Sequence, residues 1–139
     1  MDRNGYDMGR RELREQIFLL LFRVEFNTPQ DMPEQMQLFF EDDEVKRTPK
    51  EAAYIEEKYD RIMEKLSDID AQLDKKAENW DLKRMGKVDL TVLRLALYEM
   101  QYDDDVPVSV AINEAVELAK KFGQDGSGAF VNAVLAKFA

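Results

Sequence analysis

Apolar positions recur at helical spacing almost from end to end of this chain. Between residues 9 and 26, Leu13, Ile17, Leu20, Leu21 and Val24 fall on one face, which predicts a first helix ended by Thr28 and Pro29. Residues 31–43 predict a second, shorter helix with Met32, Met36, Phe39 and Phe40 as its apolar side. Thr48, Pro49 and Glu51 then form a strong helix start: a capping hydroxyl, a proline suited to the first helical position, and a glutamate spaced to complete a capping box. That helix turns Ala52, Ile55, Tyr59, Ile62, Met63 and Leu66 inward and is expected to end near Leu66. The segment from Ser67 to Asp70 restarts a helix lasting to about Asn79, with Ile69 and Leu73 inside.

The second half repeats the pattern. Trp80 sits at a junction and reads as a large plug between helices, followed by a loop over residues 81–87. Residues 88–102 are helical on Leu93, Ala96, Leu97 and Met100. Asp103 to Pro107 make a turn, and residues 107–122 a helix buried on Val108, Ala111, Ile112, Ala115, Val116, Ala119 and Phe122. Gly123 suits its C-terminal cap and Ser127 can cap a last helix with Val131, Val134, Leu135 and Phe138 inward. No segment alternates with strand periodicity, so the fold class is all-α with about seven helices.

Composition narrows the chemistry. The chain has 139 residues, with 45% hydrophobic and 35% charged, which is enough to bury a core. It has neither cysteine nor histidine, which removes disulfides, Cys/His zinc sites, thiol nucleophiles and histidine triads together. The most apolar run, Ile17 to Phe22, is far short of the roughly 20 residues a membrane span needs, and it lacks the features of a signal peptide. A cytoplasmic, reducing location fits. No cofactor is expected, and the inventory argues against an enzyme. The acidic runs Glu41 to Glu44 and Asp103 to Asp105 lack the oxygen spacing and glycine of a calcium loop, and read as solvated turns.

The net charge is −9, unevenly spread. Residues 31–83 hold 16 acids against 9 bases, whereas residues 1–30 are balanced and residues 84–139 are only mildly acidic. The middle of the chain is therefore a poor surface for nucleic acid, and any RNA contact belongs to the N-terminus and the C-terminal helices. One cluster there is Arg10, Arg11 and Arg14, beside the apolar stripe of the first helix, with Phe18 and Phe22 on the same flank. Arginines contact phosphates and aromatic faces accept unstacked bases. A second cluster is Lys120, Lys121 and Phe122, with Phe130 beyond the glycine-rich break. Taken alone, each cluster is better explained by phenylalanines packed in the core and solvated cations than by RNA binding. Asn113 and Asn132 lie close to buried faces and are expected to be structural hydrogen bonders.

Three segments resemble the NusB family in order and spacing: Arg10 to Glu15 (RRELRE), Val92 to Met100 (VLRLALYEM), and the long stretch from Val106 through Leu135. The last is the most specific. The resemblance spans nearly the whole chain and implies one all-α RNA-binding domain of two helical subdomains, approximately 1–80 and 81–139. It implies a transcription antitermination factor that binds the boxA element of ribosomal RNA transcripts together with NusE, a small-subunit ribosomal protein, and through them meets the RNA polymerase elongation complex. The implied RNA-facing residues are Arg10, Arg11, Arg14, Phe22, Phe122 and Phe130, with Lys120 and Lys121 beside them. The implied NusE surface lies around Asp89, Leu93 and Arg94. Phe22 stands where some relatives carry tyrosine, and Gly126 and Ala129 where relatives can carry charged side chains.

The resemblance leaves the oligomeric state open, since members can be monomers or homodimers paired through the RNA surface. The net charge also keeps a second reading in view, an all-α protein-interaction module with weak or lost RNA binding. NusB-like domains fused to RNA cytosine methyltransferases offer a third, but 139 residues leave no room for a methyltransferase domain.

Overall fold

The computed structural model describes residues 5–76 and 85–139, and among these it is helical throughout, with no strand. Six α-helices follow in order: α1 (Arg10–Phe22), α2 (Met32–Glu41), α3 (Pro49–Lys76), α4 (Lys87–Tyr102), α5 (Val108–Phe122) and α6 (Ser127–Ala136). A 3-10 turn, Arg23–Phe26, extends α1. The helices expected on either side of Ser67 are one continuous helix, α3. Ile55, Tyr59, Ile62, Leu66, Ile69 and Leu73 keep an unbroken alternation of four- and three-residue steps, while Ser67 and Asp68 face solvent and cost little. Trp80 and most of the loop expected at 81–87 lie outside the described residues. None of the described helices is long and apolar enough to cross a membrane.

The chain forms two compact units, Met1–Arg61 and Ile62–Ala139. In the first unit, Leu13, Ile17, Phe18, Leu20 and Leu21 of α1 are buried, as are Met32 and Phe39 of α2. Arg47, just before α3, ties these elements together. Its guanidinium lies 4.3 Å from the Phe39 ring centroid, its Nε donates to Gln16 Oε1 at 2.9 Å, and its Nη1 donates to the Phe39 carbonyl at 3.2 Å. Arg23 approaches the same ring at 5.3 Å and donates to the Gln35 carbonyl at 3.1 Å. Burial pushes Arg47 below the usual guanidinium range; nearby Asp42 opposes that shift and Arg23 adds to it. The capping box forms as the sequence predicts: Glu51 N–H donates to Thr48 Oγ1 at 3.1 Å, and Thr48 N–H to Glu51 Oε1 at 2.8 Å.

The second unit is built on α4, which packs with α5 and α6, while α5 and α6 pack on each other. Every residue from Leu90 to Glu99 is buried, so α4 is covered on all sides rather than along one stripe. Its embedded cation, Arg94, is satisfied by a two-pronged pair with Asp70 of α3, Nε to Oδ1 at 2.8 Å and Nη2 to Oδ2 at 2.9 Å. Farther along, Tyr102 O–H donates to Asp68 at 2.6 Å, and the Gln72 and Gln101 amides bond reciprocally. Lys76 and Lys137 exchange hydrogen bonds, each ammonium donating to the other residue's carbonyl, which joins the ends of α3 and α6.

Several local expectations need correction. Val108, expected inside, is 41% exposed because it is the first residue of α5, whereas Leu118 is buried along with Ala111, Ala115 and Ala119. Asn113 and Asn132 are both exposed and so do not fix a buried face. Ser127 is the first residue of α6 rather than its cap: Gly126 precedes it with φ +89°, and the Ser127 hydroxyl reaches back to accept from Gln124 N–H at 3.1 Å. Gly123 ends α5 with an ordinary φ of −91°. What demands glycine there is space, since a Cβ would lie 2.6 Å from the Ala119 carbonyl oxygen and 2.5 Å from Ser127 Oγ.

Candidate nucleic-acid interface

The cations and aromatics expected to meet RNA belong to both units, and each unit presents its own group. In the first unit, Arg10 and Arg11 open α1 and are exposed. Arg14, one turn on, is buried, so its guanidinium is engaged within the protein. Phe18, Phe22 and Phe26 recur every four residues and form a ladder. Phe18 stacks on Phe22 with centroids 5.7 Å apart, and Phe22 meets Phe26 edge to face at 5.0 Å. Exposure rises along it: Phe18 is 1% exposed, Phe22 is half-buried and Phe26 is 60% exposed.

A base stacking on this flank would therefore meet Phe22 and Phe26, whereas Phe18 supports them from below. Phe26 was not among the expected site residues, although the four-residue recurrence of phenylalanine is the signal that finds it. Arg10 and Phe22 stand at opposite ends of α1, about 18 Å apart along its axis at roughly 1.5 Å per residue. The exposed arginines and the exposed aromatic faces of this unit thus lie at opposite ends of the helix.

In the second unit, Lys120 and Lys121 are exposed at the end of α5, and Lys121 Nζ lies 5.4 Å from the ring centroid of half-buried Phe122. Phe130 of α6 is also half-buried. The turn between the two helices is tight. A Cβ on Gly128 would come within 3.1 Å of Lys120 Cγ, so the lysine stem runs across the first turn of α6. Gly126 takes the left-handed backbone that lets the chain turn into α6. Cation, aromatic face and helix start are gathered here by the close packing of α5 on α6.

The residues expected to meet a protein partner are placed differently from one another. Asp89 is partly exposed in the first turn of α4, where its charge complements the helix dipole. Leu93 is 0% exposed, and Arg94 is 8% exposed and held by Asp70. Asp89 alone of the three has an accessible side chain. The acidic runs form turns: Asp42 Oδ1 accepts from Glu44 N–H, and Asp103 Oδ1 from Asp105 N–H, each at 3.0 Å. Among the described residues no group of three or more acids could hold a metal ion.

Comparison with known proteins gives this arrangement its context. The NusB family profile matches residues 11–139. A transcription antitermination protein NusB from Agathobacter rectalis is 52% identical over 95% of this chain and 100% of its own length. Among solved structures, T. maritima NusB superposes with a TM-score of 0.82 at 36% identity, covering 95% of this chain and 91% of that one. A crystal structure of antitermination factors NusB and NusE in complex with dsRNA shares the fold, with a TM-score of 0.75 at 24% identity over 92% of this chain and 93% of that one. A helical chain with exposed arginines opening α1, a phenylalanine-flanked α5–α6 turn and a relative matched along its full length belongs to the NusB family.

Proposed function

We infer that this chain is a transcription antitermination factor that binds the boxA element of ribosomal RNA transcripts together with NusE. The observation that carries this is the 52% identity to an antitermination protein across 95% of the chain. Chemically, Arg10 and Arg11 supply phosphate contacts, Phe22, Phe122 and Phe130 supply stacking faces, and Lys120 and Lys121 add charge beside them. Arg14, being buried, serves by supporting α1. Asp89 is the reading's accessible contact for NusE, with Leu93 and Arg94 holding α4 beneath it. The protein works by binding in the cytoplasm, without chemistry of its own, and reaches the RNA polymerase elongation complex through its RNA and NusE.

The test is a gel-shift titration with boxA RNA and a scrambled control, with and without NusE. Preference for boxA that NusE strengthens supports the reading. The net charge of −9 favours one rival, a protein-interaction module; NusE binding with no preference for boxA would establish that rival instead. Size-exclusion chromatography with and without RNA distinguishes a monomer from a homodimer that hides the same surface.

A further inference from the structure

Glu51 does more than cap α3. It is fully buried, and its carboxylate reaches a segment more than forty positions earlier: Oε2 accepts the N–H of Asp7 at 2.8 Å and also that of Met8, while Oε1 accepts the N–H of Thr48. Thr48 Oγ1 donates to the carbonyl of Gly5. Aromatic and cationic contacts line the same junction, with Tyr6 edge-on to Tyr54 at 6.2 Å and Lys50 Nζ 5.1 Å from the Tyr6 centroid. A buried carboxylate is costly to desolvate, and burial by itself would raise its pKa; the backbone N–H groups of Thr48, Met8 and Asp7, with the Thr48 hydroxyl, outweigh that and hold it below the ordinary glutamate value.

The segment held in this way leads straight into α1. Gly9, the residue before α1, makes no side-chain cap. The residue at the head of α1 therefore adds no side-chain cap of its own to fix how the chain enters the helix. The grip on Met8 lies only two residues from Arg10 and three from Arg11, a reach of about 7–11 Å at full extension. We propose that Glu51 is a positioning residue for RNA binding, clamping residues 5–8 so that Arg10 and Arg11 are displayed at the start of α1 in a fixed orientation. This rests on the reading that those arginines contact RNA. The benefit is entropic: side chains already placed lose less freedom when they meet phosphate.

The test is a double-mutant cycle on the full-length chain, measured as affinity for boxA RNA at a temperature where each variant is folded. A glutamine at 51 offers one acceptor oxygen in place of two, so Glu51→Gln cannot serve both Thr48 and the 7–8 segment. The expected result is hydrogen exchange at the Asp7 and Met8 amides that speeds up while the α4–α6 amides stay protected, together with boxA binding weakened on the order of tenfold. In an Arg10→Ala/Arg11→Ala background the same Glu51→Gln change should cost nothing further, because its effect runs through the arginines. If Glu51→Gln unfolds the first unit, Glu51→Asp carries the same cycle, since it keeps the charge but shortens the reach by about 1.5 Å. A loss that adds fully to that of the arginine variant overturns the positioning role. An arginine variant that binds as well as the natural chain overturns the arginine reading itself, while the exchange rates at Asp7 and Met8 still report separately on the clamp.

Discussion

Replacing Gly123 by alanine is the sharpest test of how the α5–α6 turn is held. The residue's φ of −91° is open to any amino acid, so alanine meets no backbone strain. Its cost is wholly steric: the new Cβ would sit 2.5 Å from Ser127 Oγ, 2.6 Å from the Ala119 carbonyl oxygen and 2.7 Å from Ser127 Cβ. The serine hydroxyl could swing away, but it would then surrender the bond from Gln124 N–H, and the Ala119 carbonyl, which accepts Gly123 N–H at 2.8 Å, is backbone inside a helix. A forced shift of packed atoms costs about 1–3 kcal/mol and a lost hydrogen bond about 1 kcal/mol more, so Gly123→Ala should destabilise by roughly 2–4 kcal/mol.

Urea unfolding followed by far-ultraviolet circular dichroism reads this as a lower midpoint at unchanged slope. Gly9→Ala is the internal control, because nothing lies within 4 Å of its added Cβ; the reduced unfolded-state entropy and alanine's poorer fit at this N-cap position oppose each other, so that change should stay within about 1 kcal/mol of the natural chain. Adding Ser127→Ala to Gly123→Ala should rescue only part of the loss, since Ala119 still blocks the Cβ. A Gly123→Ala chain as stable as Gly9→Ala would refute the reasoning.

Other outcomes follow from the same contacts. Leu97→Ala, at a fully buried position of α4, should cost about 2–5 kcal/mol through the cavity it leaves, and chemical denaturation giving less than about 1 kcal/mol would show that the surroundings collapse into the gap. Asp70→Ala should cost about 2–3 kcal/mol, less than a fully buried pair because the Asp70 side chain keeps 29% exposure, and the joint Asp70→Ala/Arg94→Met change should recover much of it, as a double-mutant cycle would reveal. Because Glu51 is held below its ordinary 4.5, the stability it confers is complete above that pH and is lost as the pH falls through the lower folded value; the stability gap between the natural chain and Glu51→Gln should therefore shrink in acid, and a gap that widens there would contradict the charge-based account.

Much of this fold was legible in the sequence, and the misses share a cause. Helix starts and stops were set by local chemistry, so Thr48 and Glu51 formed the expected box and α2, α4 and α5 fell within a residue or two of expectation. The restart expected at Ser67 does not interrupt the helix, because the apolar stripe passing through this serine and aspartate is the stronger signal. Burial was harder to read, because it depends on which neighbours arrive. Arg94, which the resemblance places on a partner surface, is the embedded partner of Asp70, twenty-four positions earlier. Arg14 is buried although its neighbours Arg10 and Arg11 are exposed, and Asn113 and Asn132 face solvent. For the candidate site, spacing and resemblance singled out the arginines and phenylalanines, but not the exposed Phe26 or the long-range grip of Glu51 on Asp7 and Met8.

The most direct test of the central claim is the salt dependence of binding to boxA RNA, measured by fluorescence anisotropy for the natural chain and for Arg11→Ala. A protein of net charge −9 gains no long-range attraction to RNA, so binding must come from a local patch that neutralises few phosphates. With about three phosphates at roughly 0.7 each on a single strand, log affinity should fall against log salt with a slope of about −2. Arg11→Ala should weaken boxA and scrambled RNA alike and make the slope shallower by about 0.7. A steep slope, or one that Arg11→Ala leaves unchanged, would contradict the account and place the RNA somewhere other than on the start of α1.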